Sequence, residues 1–247
     1  SYDNGSTWTT SNTQSISTNG TINIKVKDNV GNISSQSVII NKIDKAAPTF
    51  TSITQTPTAW TGDTVALTVN GANDNGGSGL NSTAYSFSTT QGEYNWQASN
   101  VSSVFSQNQT VYVYVRDTLG NISAVSTVNI TNVDTTIPNS PVINNSSNYT
   151  TDSWYNSDQT VTASFTATIG CNETLQYNLN NGSWTDGDSV IVSQAGVNTL
   201  KFRVRDELGR TSGEISCTVQ IDKTNPNVTA TDTDYSWRTT NFDFNIG

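Results

Sequence analysis

The residues best placed to do chemistry are aspartates that recur at fixed positions along the chain. Asp117 and Asn121 stand four residues apart in D-T-L-G-N, and Asp134 lies shortly before a proline. Calcium takes about six to eight oxygen ligands from carboxylates, amides and carbonyls, which loops at one end of a domain can supply together. The pattern therefore predicts calcium at the junctions between successive domains. The predicted metal ligands are one hairpin and one junction residue for each repeat: Asp28, Asp44, Asp117, Asp134, Asp206 and Asp222.

The same aspartates have a purely structural interpretation. An aspartate that begins a turn, or precedes an extended segment, accepts hydrogen bonds from its own stretch of backbone. In the third copy Arg210 stands where the first two have Asn32 and Asn121, which weakens the case for a metal site common to all repeats. Both interpretations stay open from the sequence.

Catalytic patterns are missing from the chain. There is no histidine, which removes the commonest general base and zinc ligand. The chain also has no nucleophile elbow, metal-binding His/Cys set, phosphate-binding loop or dinucleotide-binding glycine pattern. The acidic residues recur once per domain on turns and junctions, as scaffold residues do. We therefore expect no enzyme activity and no catalytic residues.

The charge excludes two classes of partner. The net charge is −9, from 20 acidic and 11 basic residues, and no stretch gathers lysine and arginine into a patch. Nucleic acid and anionic lipid both attract basic surfaces, so we expect neither as a partner. No apolar run is long enough to span a bilayer, and we expect no membrane insertion in this segment.

The two cysteines, Cys171 and Cys217, belong to one repeat. They stand where the preceding repeat has Leu80 and Val128, so both replace apolar residues expected to face the core. One interpretation is two buried thiols that act as small hydrophobes. The other is a disulfide between two sheets, which an extracellular protein can form.

The six tryptophans form two series that recur once per repeat. They are Trp8, Trp96 and Trp184, and Trp60, Trp154 and Trp237. Recurrence beside alternating apolar strands is typical of packing in a core or at a junction. Tyr112 and Tyr114 lie on the outward face of their predicted strand, and we expect them to be candidates for surface contacts.

The element that must position these residues is an alternating strand that occurs three times. Asp28, Asp117 and Asp206 follow one another at 89-residue intervals. Before each aspartate, apolar residues alternate with others, as in V-Y-V-Y-V. A period of two predicts a strand with one face on a core and one toward solvent. The D-x-x-G that follows predicts a hairpin turn.

Proline-bearing connectors separate the repeats. Proline fixes φ and removes a hydrogen-bond donor, so a strand ends there. The D-x-x-x-P connectors are short, and they leave less slack than a Gly/Ser linker would. They predict domains arranged end to end in a semi-rigid rod. The predicted stretches are 1–45 (the last part of a repeat), 46–134 and 135–222 (complete repeats) and 223–247 (the first part of another).

The fold class follows from the strands. Each repeat has about seven short strands and no helical period. Apolar residues make up only 33% of the chain, which suits small two-sheet domains with thin cores. We predict an all-β protein of tandem immunoglobulin-like or fibronectin-III-like sandwiches.

The two ends of the chain complement each other. Residues 223–247 carry the first strands of a domain and residues 1–45 carry most of the rest. One interpretation is a longer array of which this chain is a part, with neighbouring repeats as the partners. The other is that the end of one chain completes the start of the next, which would give a head-to-tail fibre.

The third repeat, with G-C-N-E-T-L-Q-Y-N-L-N-N-G-S-W, V-R-D-x-L-G and I-D-K-T-N-P, resembles the bacterial immunoglobulin-like repeats of large secreted and surface-anchored proteins. The resemblance covers essentially the whole chain. It implies extracellular sandwiches that space an adhesive, enzymatic or wall-anchoring domain away from the cell. In some giant adhesins of this kind, hairpin and junction aspartates bind calcium and stiffen the rod.

These observations predict a structural function. We expect a non-catalytic stalk, spacer or fibre segment of a bacterial cell-surface or secreted protein. The alternative is an adhesive module that recognises carbohydrate or a host protein through loops such as Ala72–Gly79.

Overall fold

The computed structural model describes residues 1–144, 153–228 and 237. These residues form strands, turns and irregular segments, with no helix among them. The described part of the chain accordingly offers no helix of the kind that crosses a bilayer. The predicted all-β class is confirmed. The predicted strand at 242–246 lies outside the described residues.

The chain divides into two compact units, Ser1–Thr135 and Thr136–Gly247. The finer division into four stretches stays a prediction.

The first unit contains a hairpin and two facing sheets. The β3–β4 pair faces a four-stranded sheet of order β6-β5-β7-β8, and β1 pairs with β2. All three sheets pair antiparallel. The strands are β1 (Gly20–Lys27), β2 (Ile33–Ile40), β3 (Ser52–Thr56), β4 (Ala66–Asn70), β5 (Leu80–Ser88), β6 (Trp96–Gln97), β7 (Gln109–Asp117) and β8 (Ser126–Ile130).

The core of this unit lies between β4 and β7. Val111, Val113 and Val115 alternate along β7 and are fully buried, and Leu67 and Val69 face them from β4. Burying such a side chain stabilises the fold by about 1.5–3 kcal/mol. The predicted alternating strand is therefore present, and its inward face holds the two sheets together.

The second unit repeats the plan with a larger sheet. Five strands pair in the order β10-β16-β15-β12-β13, and three in the order β14-β11-β9. Phe202 at the centre of β15 is fully buried between them. The strands are β9 (Val142–Asn144), β10 (Trp154–Tyr155), β11 (Gln159–Ser164), β12 (Glu173–Leu179), β13 (Thr185–Asp186), β14 (Ser189–Val192), β15 (Gly196–Asp206) and β16 (Ile215–Ile221).

The predicted D-x-x-G hairpins have the same backbone geometry in both units. The N–H of Asp117 donates to the carbonyl of Asn121 over 3.1 Å, and that of Asp206 donates to the carbonyl of Arg210 over 3.0 Å. The glycines of these turns, Gly120 and Gly209, have φ of 91° and 85°, a region that side-chain-bearing residues rarely adopt. The turns therefore require glycine at this position, and they set the aspartate at the end of its strand.

Candidate metal centre

Three aspartates from separate parts of the first unit converge. Asp44 follows β2, Asp74 lies in the loop between β4 and β5, and Asp117 ends β7. One carboxylate oxygen of each lies within 4.8 Å of those of the other two. Calcium–oxygen distances are about 2.3–2.6 Å, so oxygens at this separation can contact one ion between them. Asp74 and Asp117 are buried and Asp44 is half-buried.

Asp117 is positioned by its own hairpin. Its Oδ1 accepts the backbone N–H of Asn121 over 2.7 Å, and its Oδ2 accepts the side-chain Nδ2–H of the same residue over 2.6 Å. The side chain of Asp117 is completely inaccessible to solvent. Asn121 therefore fixes the direction of the carboxylate without adding charge.

Asp74 is positioned by a tight loop. Asn75 and Gly76 have φ of 50° and 87°, which turns the chain so that Gly77 donates its N–H to the carbonyl of Asp74 over 2.9 Å. The N–H of Gly79 then donates to Oδ2 of Asp74 over 2.6 Å. The loop thus folds around its own carboxylate.

Asp44 joins this loop from a distant part of the sequence. Its Oδ2 accepts the backbone N–H of Ser78 over 2.7 Å, and its Oδ1 accepts that of Ala46 over 3.0 Å. These bonds, the one from Ser78 first, lower the pKa of Asp44 below its ordinary value. The carboxylate is therefore ionised at neutral pH.

Two features of the site fit a cation. Oδ1 of Asp74 is buried, and no donor among the described residues reaches it. A buried carboxylate oxygen without a partner is destabilising, as are three like charges this close together. A divalent cation would relieve both.

The second feature is the close approach of Gly77. A Cβ at this position would lie 2.5 Å from Oδ2 of Asp44 and 2.7 Å from Oδ2 of Asp74. Only a glycine lets the backbone pack this tightly against both carboxylates. Asp44 and Asp74 line an open cleft of about 670 Å³ between the segment after β2 and the loop, which gives an ion access from solvent.

The other predicted metal ligands in exposed positions behave as turn caps. Asp28 accepts the N–H of Val30 and both the N–H and Nδ2–H of Asn32, and these bonds, those from Asn32 first, lower its pKa. Asp222 accepts the hydroxyl and the N–H of Thr224, which lower its pKa in that order. Neither belongs to a cluster of three candidate ligands within the described residues. For these two, the structural interpretation fits best.

Asp206 forms an ion pair with the guanidinium of Arg210. Its Oδ1 accepts the N–H of Arg210 over 2.8 Å, and its Oδ2 forms an ion pair with the guanidinium Nε over 2.6 Å. Asp134, the remaining predicted ligand, is buried, and its N–H donates to the carbonyl of Thr61 over 2.9 Å.

The structure has no disulfide between Cys171 and Cys217, which is one of the two interpretations that the sequence leaves open. Cys217 pairs with Leu200 in the β15–β16 ladder, whereas Cys171 lies just before Glu173, which pairs with Asp206. Six residues of β15 separate the two positions, about 20 Å at 3.3 Å per residue. A disulfide needs Cα atoms within about 7 Å. Cys217 packs against the core as predicted for a small hydrophobe, and Cys171 lies 3.9 Å from the guanidinium of Arg210.

The predicted packing of the tryptophans is in a core or at a junction, and packing in the core is not what the described residues show. No tryptophan of the described chain is among the buried apolar residues. One series instead stacks under a cation from the strand before the hairpin turn. Lys27 lies 4.5 Å from the ring centre of Trp8, Arg116 lies 4.4 Å from that of Trp96, and Arg203 lies 4.1 Å from that of Trp184.

Tyr114 differs from its prediction as a surface residue. It is only 5% exposed, because the ring of Tyr94 packs on it edge to face at 4.9 Å. Its hydroxyl accepts the N–H of Gly92 over 3.0 Å. Tyr114 therefore anchors the turn between β5 and β6.

Asp74 is the site residue that sequence reasoning missed. The stretch A-N-D-N-G-G-S-G reads as a loop, and the recurring pattern of hairpin and junction aspartates does not include it. The available signal is its composition. An acid between two asparagines, followed by two glycines, supplies many oxygens on a backbone that can turn tightly.

Comparisons with known proteins give structural likenesses only. No protein-family model and no curated protein matches the chain. The fibronectin(III)-like modules of CbhA from Clostridium thermocellum align at 10% identity and a TM-score of 0.34, covering 71% of this chain and 98% of theirs. Domains 7, 8 and 9 of the S-layer protein SbsC align at 12% identity and a TM-score of 0.22, covering 84% and 72%. Scores this low carry no argument, so the fold class rests on the strands and cores described above.

Proposed function

We propose that this chain is a non-catalytic structural segment of an extracellular bacterial protein, and that calcium bound by Asp44, Asp74 and Asp117 fixes one of its connecting segments. The observation that carries the proposal is the buried Oδ1 of Asp74, which has no donor among the described residues and belongs to a cluster of three carboxylates. A cation is the partner that this oxygen lacks.

Calcium would act here as a cross-link between three parts of the first unit. Asp44 stands on the segment between β2 and β3, and the other two ligands stand on the sandwich formed by β3 to β8. The ion would supply the positive charge that three clustered carboxylates require. The chain itself supplies the placement, through Asn121 at Asp117, Gly79 at Asp74 and Ser78 at Asp44.

Two further observations support a structural function outside the cell. The repeat signatures resemble those of secreted and surface-anchored bacterial proteins. Extracellular calcium modules bind at about 10⁻⁴–10⁻³ M, an affinity suited to a site with three carboxylates beside an open cleft. A segment held by three ligands loses freedom to swing, which suits a stalk or spacer.

The adhesive alternative would use the 72–79 loop to contact carbohydrate or a host protein. Asp74 and the N–H groups of Ser78 and Gly79 are instead engaged with the carboxylate cluster. This use of the loop favours the structural role. A glycan array probed with the chain tests the alternative, because a spacer gives no specific hits.

Calcium titration followed by calorimetry and thermal melting tests the proposal. At a calcium concentration about 100-fold above Kd, binding adds about 2.7 kcal/mol to the stability of the first unit, so its midpoint should rise by about 10 °C over that in chelator. Asp74→Asn should abolish most of this shift. Asp63→Asn is the matched control, because it removes the same charge from an exposed residue of the same unit. An unchanged midpoint in the wild-type chain would refute calcium binding.

A further inference from the structure

The two buried hairpin aspartates receive the same pair of hydrogen bonds from different residues. Asn121 reaches Asp117 with its N–H at 2.7 Å and its side-chain nitrogen at 2.6 Å. Arg210 reaches Asp206 with its N–H at 2.8 Å and its side-chain Nε at 2.6 Å. The side chain of Asp206 is 2% exposed and that of Arg210 is 24% exposed. The arginine therefore brings a full positive charge to the place where the asparagine brings a neutral amide.

The loops before β5 and β12, which lie beside these two hairpins, differ in whether they contain an acidic residue. In the first unit the loop that ends at Gly79 and Leu80 contains Asp74. In the second unit the corresponding loop is T-A-T-I-G, residues 166–170, and ends at Cys171. It contains no acid. The loop beside the hairpin with the neutral amide thus supplies a carboxylate, whereas the loop beside the hairpin with the guanidinium does not.

We infer that Arg210 takes the place of the metal ion at the second hairpin, so that the residue four positions after the hairpin aspartate decides whether that aspartate depends on a divalent cation. This inference rests on the proposed calcium site. Asparagine at this position leaves the carboxylate cluster open to a cation, and arginine neutralises the aspartate from within the chain.

The number of negative charges at each hairpin explains why one has an arginine and the other would need a divalent ion. A buried carboxylate needs a compensating charge within hydrogen-bond distance, and a guanidinium is protonated at every physiological pH and binds carboxylates through charge-assisted bonds. The guanidinium of Arg210 compensates the charge of Asp206 in this way. Three carboxylates need more charge than one amide can offer, and a divalent ion supplies it.

The hairpin of β1 and β2 carries the same motif. Asp28 and Asn32 reproduce the bonds of Asp117 and Asn121, and Asp28 belongs to no cluster of three candidate ligands among the described residues. This hairpin therefore offers a position for a control substitution.

The test converts the first hairpin to the composition of the second. In the full chain, Asn121→Arg should weaken calcium binding at least about tenfold, measured by calorimetry with calcium chloride. Asn32→Arg is the matched control, since it makes the same substitution in the same motif away from the cluster, and it should leave calcium affinity unchanged. An Asn121→Arg variant that binds calcium with wild-type affinity overturns the inference.

A second variant keeps the test decisive if Asn121→Arg fails to fold. Asp74→Asn combined with Asn121→Arg copies both features of the second hairpin. In chelator, its first unit should melt about 3 °C or more above that of Asp74→Asn alone, because the guanidinium compensates Asp117. An equal or lower midpoint overturns the inference. This comparison is made without calcium, so its result stays distinguishable from a failure of the wild-type chain to bind the ion, which would overturn the proposed function instead.

Discussion

Ser78 donates its backbone N–H to Oδ2 of Asp44 over 2.7 Å, although 34 residues separate the two along the chain. The bond ties the segment after β2 to the loop before β5. Asp44 also accepts the N–H of Ala46, so a single carboxylate fixes both its own segment and its attachment to the sandwich.

Replacing Asp44 should speed hydrogen exchange at the N–H of Ser78 and leave that of Gly79 unchanged. In Asp44→Ala the Ser78 N–H loses its acceptor, and its hydrogen exchange should accelerate by about tenfold or more, because a hydrogen bond to a charged acceptor is lost. The Gly79 N–H binds Asp74 instead and is the internal control. Equal protection of Ser78 in both proteins, measured by NMR, would contradict this role of Asp44.

Gly77→Ala should disturb the carboxylates directly. The added Cβ would lie 2.5 Å from Oδ2 of Asp44, so that side chain must move, and overpacking of this kind costs about 1–3 kcal/mol. We expect a lower midpoint of the first unit in chelator and weaker calcium binding. Asp63→Asn is again the control, since it changes an exposed residue of the same unit. A variant as stable as the control would show that the site tolerates the methyl group.

The buried and exposed hairpins offer a comparison within one chain. Asp117→Ala leaves the N–H and Nδ2–H of Asn121 without their acceptor in a buried setting, which should destabilise the first unit by about 2–4 kcal/mol. Asp28→Ala removes the same pair of bonds at an exposed turn, where water replaces the carboxylate, and the loss should be clearly smaller. Denaturant unfolding in chelator measures both. Equal losses would mean that burial does not set the importance of this aspartate.

Asp28 should make part of the free energy of unfolding depend on pH. Hydrogen bonds from Asn32 lower its pKa in the folded chain below the ordinary value of 3.8. A lowered pKa stabilises the fold above the unfolded value, and that contribution is lost as pH falls through the folded value. The stability difference between wild type and Asp28→Asn should thus be constant near neutral pH and shrink below about pH 4. Melting both proteins between pH 7 and 2 checks this, and a difference that grows in acid would contradict it.

The sequence predicts the strands and hairpins well because both depend on local patterns. The alternation of Val111, Val113 and Val115 places all three in the core, and the D-x-x-G turn follows from glycine conformation at Gly120. These features need only the residues within one element. The all-β class follows from repeating them.

The site is less predictable, because its third ligand depends on contacts between distant segments. Asp44 and Asp117 stand out because their positions recur, whereas Asp74 occurs in one loop only and has no counterpart in residues 166–170. The tryptophans mislead for a related reason. Their size suggests a core, but the basic residues that stack on them come from other strands, as Arg116 does from β7. Neither arrangement is visible in a local pattern.

The stacked cations have a consequence for folding in a chain of similar repeats. Lys27 and Arg116 directly precede their hairpin aspartates, whereas Arg203 stands three residues before Asp206. If β7 took the place of β15, Tyr114 would stand at the position of Arg203, and the cation of Arg116 would lie two residues, or about 6.6 Å, further along the strand. Neighbouring copies of one fold are prone to such exchange while they fold. The indole of Trp184 thereby favours β15 over β7 in the sheet of the second unit.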